Sequence, residues 1–224
     1  MKHYLQVVWA VFSKDIRIEL RTKDIFTSMA VFAVLAVMMF NFAFELRIPD
    51  KTAVIPGVLW VTIIFSGLLG LGRAFISEKD RGSMAGLLLA PVDRSAIYFG
   101  KMLASFLFIL IMEAFLLPLM MLFFNANFIT LPLLALLFLG TLGFAAVGTV
   151  FSGLAVNTRT REVLLPVLLL PVMLPVLMAG IRATIGLMEG DTLAEMMKWY
   201  NLVIFFDILY LVVAYLTFDF VVEE

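Results

Sequence analysis

Residues 77–94 read SEKDRGSMAGLLLAPVDR, a charged and punctuated stretch lying between two long apolar runs. The runs on either side, residues 53–76 and 96–124, are each long enough to cross the roughly 30 Å of hydrocarbon in a bilayer. Outward from this pair the same kind of run recurs near 25–44, 128–156, 163–187 and 199–221, making six in all. Short polar separators divide them, reading ELRIPDK, NAN, NTRTRE and MEGDTLAEMMKWY. Hydrophobic residues make up 63% of the 224 and charged residues 15%, so a water-soluble domain would lack the polar surface to cover such a core. The apolar excess must face lipid. The predicted fold class is an all-α integral membrane protein of six transmembrane helices, with residues 1–224 forming one domain and no soluble domain appended.

Orientation follows from where the cations lie. The leader holds Lys2, Lys14, Arg17, Arg21 and Lys23; the segment between the second and third spans holds Arg73, Lys79, Arg81, Arg94 and Lys101; the loop after the fourth holds Arg159 and Arg161. On the other side stand Arg47, Lys51, Arg182 and Lys198, so 12 of 16 cations share one side and both termini are expected in the cytoplasm. The expected location is the cytoplasmic (inner) membrane. The leader, residues 1–24, lacks a signal-peptide cleavage pattern and is expected to stay on the protein. Its Leu5, Val8, Trp9, Phe12, Ile16 and Leu20 recur at helical spacing opposite Lys14, Arg17 and Arg21. That pattern predicts an amphipathic helix along the cytoplasmic membrane surface. Glu19 interrupts the apolar stripe, read either as fraying or a slight rotation, or as a buried partner for a cation such as Arg73.

Within the opening stretch, Ser77 and Asp80 have capping-box spacing, Gly82 allows a sharp turn, and Met84, Leu87 and Leu88 form a short apolar face. Pro91 ends it and Asp93 is placed to cap the next helix. This predicts a short helix across the cytoplasmic mouth, too short to span. It either rests on headgroups or docks a cytoplasmic partner, and the residues alone leave both open.

EKDRGSMAGLLLAPVDRSAIYFGK, with Glu78, Gly82, Leu87 to Leu89, Pro91, Gly100 and Lys101 in order, resembles the cytoplasmic coupling segment of ABC-2 type exporter permeases. Together with FSKDIRIELRTKD, FNFAFE, GVLWVTIIFSGLLGLGRAFISEKDRGSMAGLLLAPVD and REVLLPVLLLPVMLPVL, it is similar to the CcmB family, membrane subunits of the haem exporter of cytochrome c maturation. The resemblance implies a homodimeric permease in the lipid bilayer, bound to two copies of a cytoplasmic ABC ATPase and to other small cytochrome c maturation membrane subunits. Haem would be its possible transported substrate rather than a resident cofactor, and no nucleic acid is expected among its partners. The chain has no G-x-x-x-x-G-K-[ST] phosphate loop, so ATP would bind the partner and no catalysis is expected here. On this reading the charges of Glu78, Lys79, Asp80 and Arg81 orient docking, while Met84, Leu87 and Leu88, punctuated by Gly82 and Pro91, supply the buried face. Two alternatives stand beside it: a permease for another hydrophobic or lipid-like cargo, and a scaffold coupling ATP hydrolysis to release of a haem-loaded carrier.

Other features carry weaker expectations. Pro166, Pro171 and Pro175 in the fifth span are gate candidates, with the ordinary abundance of Pro in membrane helices as the plain alternative. Arg73, Glu113 and Asp207 are intramembrane polar candidates; both acids are expected in the outer half, meeting each other or Arg182. Gly140, Gly143, Gly148 and Ser152 permit close helix approach, within the subunit or at a dimer seam. The outer loop, residues 188–198, is expected to form re-entrant or surface helices serving as a lid or as an anchor at Trp199 and Tyr200. His3 is the single histidine and Cys is absent, so no metal site and no strong haem ligand is assigned, and the 14 Met are read as gap-fillers.

Overall fold

The computed structural model describes residues 2–45, 51–80, 92–156 and 161–221. Seven α-helices account for nearly all of them: α1 Lys2–Thr22, α2 Asp24–Glu45, α3 Ile55–Asp80, α4 Arg94–Phe124, α5 Leu131–Val156, α6 Arg161–Glu189 and α7 Leu193–Val221. A 3₁₀ turn, Lys51–Val54, leads into α3. Helices α2 to α7 are the six long and apolar enough to cross a membrane, in the predicted order.

The bundle has two inner helices and a ring. Within their apolar windows α3 and α5 are each 72% buried, whereas α7 is 22% buried. Helix α3 packs against α2, α4, α5 and α6, and α5 against α3, α4, α6 and α7. The α7 residues that face inward are Met196, Val203, Asp207, Tyr210 and Ala214, a spacing near 3.5 residues that keeps one narrow seam toward the bundle. Its opposite face, with Phe205, Ile208, Val212 and Leu216, is uncovered and suited to lipid.

Helix ends explain the connections. Asn125 takes a left-handed conformation (φ 49°) to close α4, and Asn41 of α2 donates to the Phe123 carbonyl at 2.6 Å, using one of the last carbonyls the helix leaves free. The turn between α6 and α7 differs from expectation: there are no separate outer helices in 188–198. Gly190 (φ 84°) ends α6, with the Asp191 N–H donating to the Gly186 carbonyl at 2.8 Å, as in a Schellman cap. The Glu195 carboxylate then accepts the Thr192 N–H and hydroxyl, both at 2.9 Å, opening α7 immediately. These paired caps make a tight hairpin, so the polar residues read as a lid are the ends of two long spans. The sixth span consequently starts at Leu193 and not near 199.

At its far end α3 runs without interruption to Asp80, so Ser77 lies inside it and is not an N-cap. Asp93 does stand at the N-cap of α4, but its side chain makes no capping bond; the Ala96 N–H bonds its carbonyl at 3.0 Å.

Candidate functional site

Of the residues expected to couple to an ATPase, Glu78, Lys79 and Asp80 form the last turn of α3. Arg81, Gly82, Met84, Leu87, Leu88 and Pro91 lie outside the described residues. What the structure builds around that segment is its two flanks, α3 on one side and the start of α4 on the other.

The α4 flank is sheathed by α1. The Tyr4 hydroxyl donates to Ser95 Oγ at 3.2 Å. A Cβ on Gly100 would sit 2.7 Å from Val11 Cβ and 2.9 Å from the Val8 carbonyl oxygen, so only glycine lets the two backbones approach this closely. Next to it Lys101, 2% exposed, reaches Asp15 at 3.6 Å, and Lys14 contacts the same carboxylate at 3.2 Å. Gly100 and Lys101 thus serve the seam with the leader helix.

The leader packs on the bundle through a face turned by about one residue, or roughly 100°, from its apolar stripe. Leu5, Trp9 and Leu20 of the apolar stripe are 62%, 67% and 70% exposed, while Tyr4, Val8, Val11, Asp15 and Glu19 face the protein. Glu19 therefore does not interrupt a lipid-facing stripe, and its partner is not Arg73, which is exposed. Its carboxylate accepts the backbone N–H groups of Phe26 at 2.8 Å and Ile25 at 3.2 Å, capping the first turn of α2, where the helix dipole favours an anion.

The α3 flank is pinned near its Ile55 end by a group that the sequence did not single out. Trp60 lies between α5 and α6: a Cβ on Gly140 would be 2.7 Å from Trp60 Cη2, and one on Gly180 would overlap Cε2 and Cζ2. The indole N–H donates to Thr184 Oγ1 at 3.0 Å. Three helices contribute to this slot, so no local pattern announces it. Gly143 and Gly148 are also used within the chain, against Asp207 and Leu71 respectively.

Glu113 and Asp207 sit on opposite sides of α5 rather than together. Glu113 accepts from the Thr141 hydroxyl at 2.5 Å, while Asp207 Oδ1 lies where a side chain on Gly143 would stand. Asp207 is midway along α7 and so lies deeper than expected, because α7 starts earlier than its hydropathy suggested, while Glu113 stays nearer the Phe124 end of α4. Arg182 is exposed, and neither acid is hydrogen-bonded to it among the described residues. Replacing Thr141 with Val is expected to leave Glu113 short of its donor and to cost about 1–3 kcal/mol. Thermal unfolding of the purified variant checks this.

The three prolines fall inside an unbroken α6. Pro171 is exposed and Pro166 and Pro175 are half-buried, while Leu165, Leu169, Met173 and Val176 face the core. Beside the prolines, the Tyr210 hydroxyl of α7 donates to the Val172 carbonyl at 2.5 Å, one residue from the Pro171 carbonyl that Pro175 deprives of its helical partner.

A family model described as CcmB protein matches residues 6–223. The chain is similar to Heme exporter protein B of Pseudomonas aeruginosa, 27% identical over 190 residues that cover 84% of this chain and 85% of that one. It is similar also to Heme exporter protein B of Bradyrhizobium diazoefficiens, 26% identical with 81% and 82% covered. Heme exporter protein B of Paracoccus denitrificans is 28% identical, with 78% and 80% covered.

Proposed function

The chain belongs to the CcmB family, and from that membership we propose that it is the membrane permease subunit of an ATP-driven haem exporter serving cytochrome c maturation. The observation that carries this reading is a family match running from residue 6 to residue 223 of a bundle with six spanning helices. Energy comes from a cytoplasmic ATPase, because the chain has no phosphate loop of its own. The complex holds two copies of this chain, two of the ATPase, and further cytochrome c maturation membrane subunits.

Residues 77–94 are the docking element. A closing ATPase dimer can move spans only through something stiff, since packed interfaces switch between discrete arrangements. Helix α3, pinned by Trp60 at its outer end, and α4, clamped by α1, are the two rods it would drive. The segment must therefore face the cytoplasm. With no native Cys, single cysteines give an unambiguous test: one at Lys198 should label only from outside and one at Arg17 only from inside.

Leu87→Asp is expected to leave the protein inserted while removing the ATPase from the purified complex and abolishing cytochrome c maturation. Wild-type ATPase recovery and turnover in this variant would refute the docking assignment. The scaffold reading and export are both compatible with one sequence fact, a single His near the N-terminus and no Cys to hold haem iron tightly. Photo-crosslinking of haem to the chain during turnover separates the two, an adduct supporting export and none supporting the scaffold.

A further inference from the structure

Asp207 stands midway along α7 and is 3% exposed, yet neither of its carboxyl oxygens has a hydrogen bond among the described residues. Glu113, the acid on the other side of α5, is provided for by the Thr141 hydroxyl. No cation among the described residues forms an ion pair with Asp207 either. Helix α5, on which it rests, has no titratable side chain. On α6, Arg182 and Glu189 are exposed, and Arg161 and Glu162 belong to the first turn. On α4, Glu113 turns to Thr141, Tyr98 donates to the Ala146 carbonyl, Lys101 reaches Asp15 and Arg94 opens the helix. Along α7 itself Glu195, Lys198 and Tyr200 lie toward its start, Tyr215 is exposed and Asp219 is near its end. Tyr210 is the titratable neighbour that remains.

A carboxylate in hydrocarbon with no donor and no counter-charge is far costlier than the neutral acid, so such a group takes up a proton. What that proton controls is set by Tyr210, three residues on and therefore a neighbour on the same helix face. A Cβ on Gly143 would overlap Asp207 Oδ1 and stand 3.5 Å from the Tyr210 ring, so carboxyl and ring crowd the same point on α5. The Tyr210 hydroxyl has one proton to donate, and the Val172 carbonyl of α6 accepts it. That carbonyl lies in the stretch where Pro171 and Pro175 remove the helical partners of the Val167 and Pro171 carbonyls, which weakens α6 there.

We infer that Asp207 is a proton-binding site whose occupancy decides whether Tyr210 clamps the proline segment of α6 to α7. With the proton bound, the neutral carboxyl competes poorly for the tyrosine hydroxyl and the clamp on Val172 holds. When the proton leaves to water, the carboxylate becomes the stronger acceptor, charge-assisted hydrogen bonds being about twice as strong as neutral ones. Tyr210 then keeps its own proton but turns it to Asp207, and α6 is freed at its prolines. The clamp is therefore complete at low pH and is lost as pH rises through the ionisation of Asp207. By linkage, whatever draws α6 away from α7 favours release of a proton. The switch lies wholly within α5, α6 and α7, so it goes beyond the permease reading and stands whatever residues 77–94 dock.

The test uses the full-length chain in lipid, as wild type, Asp207→Asn and Tyr210→Phe. Infrared difference spectra between acidic and alkaline buffer should show an un-ionised carboxylic acid that loses its proton in wild type, and this band should be missing from Asp207→Asn. Spin labels on cysteines at Val167 and Val212, both exposed and in a chain without native Cys, read the α6–α7 distance on the Arg161 side of Pro171. Wild type should give one narrow distance at acidic pH that broadens at alkaline pH. Asp207→Asn, permanently uncharged, should stay narrow at both, and Tyr210→Phe should be broad at both. A wild-type distance that ignores pH overturns the switch, as does broadening that persists in Asp207→Asn or a narrow distance in Tyr210→Phe. Absence of an acid band assignable to Asp207 overturns the proton site. Failure of Asp207→Asn to fold does the same, because a neutral carboxyl would then not be what the seam holds. None of these outcomes touches the permease reading, which Leu87→Asp tests separately.

Discussion

Gly180→Leu is expected to abolish the folded protein, seen as loss of monodisperse material after detergent extraction. Even a Cβ at this position would overlap two atoms of the Trp60 indole, and the ring has nowhere to go. A Cβ on Gly140 would likewise stand 2.7 Å from the ring's Cη2, and Thr184 holds the indole N–H at 3.0 Å. Overpacking a filled core costs about 1–3 kcal/mol. Pushing the indole off Thr184 also strands a buried donor, for about 1–3 kcal/mol more. Both penalties fall on α3, one of the two innermost helices, so the local damage is not absorbed at an edge. Adding Trp60→Leu should restore part of the yield, because a flexible side chain can share the slot with the introduced leucine where a planar ring cannot. If Gly180→Leu purifies normally without that second change, the slot is not as tight as described.

Much of this architecture was legible in the sequence, for a simple physical reason. A bilayer demands apolar runs of a minimum length, so six spans and their order could be counted directly. What could not be counted was the side on which each helix meets its neighbours. In α1 the conspicuous stripe of Leu5, Trp9 and Leu20 is the uncovered one, and the packed face carries Asp15 and Glu19. In a membrane protein apolarity marks contact with lipid as readily as contact with protein, so periodicity alone does not tell the two apart. The α6–α7 hairpin escapes a reading by hydropathy because Gly190 and the Thr192–Glu195 cap look like boundaries of extra elements when they form one turn. Hydropathy has no view of caps. The acids at 113 and 207 stood out as costly residues, but the helix that separates them was visible only once α5 was seen to lie between α4 and α7.

Gly100→Leu is the second change expected to be severe, and its comparison with Gly143 shows what sets the cost. By distance alone Gly143 is the tighter site, since a Cβ there would overlap Asp207 Oδ1 outright. That atom is the end of a side chain that makes no hydrogen bond among the described residues, so it can rotate away without breaking one. At Gly100 the obstacles are Val11 Cβ at 2.7 Å and the Val8 carbonyl oxygen at 2.9 Å, neither of which moves unless all of α1 moves. Lifting α1 also takes Asp15 away from the buried Lys101, which adds to the cost. The same movement draws Glu19 off the first turn of α2, for roughly 1 kcal/mol more. Gly100→Leu should therefore free the leader helix even if the six spans remain assembled, whereas Gly143→Ala should be nearly silent. A cysteine at Val11, 5% exposed in the folded protein, reads the difference. It should resist a water-soluble thiol reagent in the parent and in Gly143→Ala, and react fully in Gly100→Leu. Protection retained in Gly100→Leu would mean that α1 can accommodate the added side chain, and that the glycine is not what sets its distance from α4.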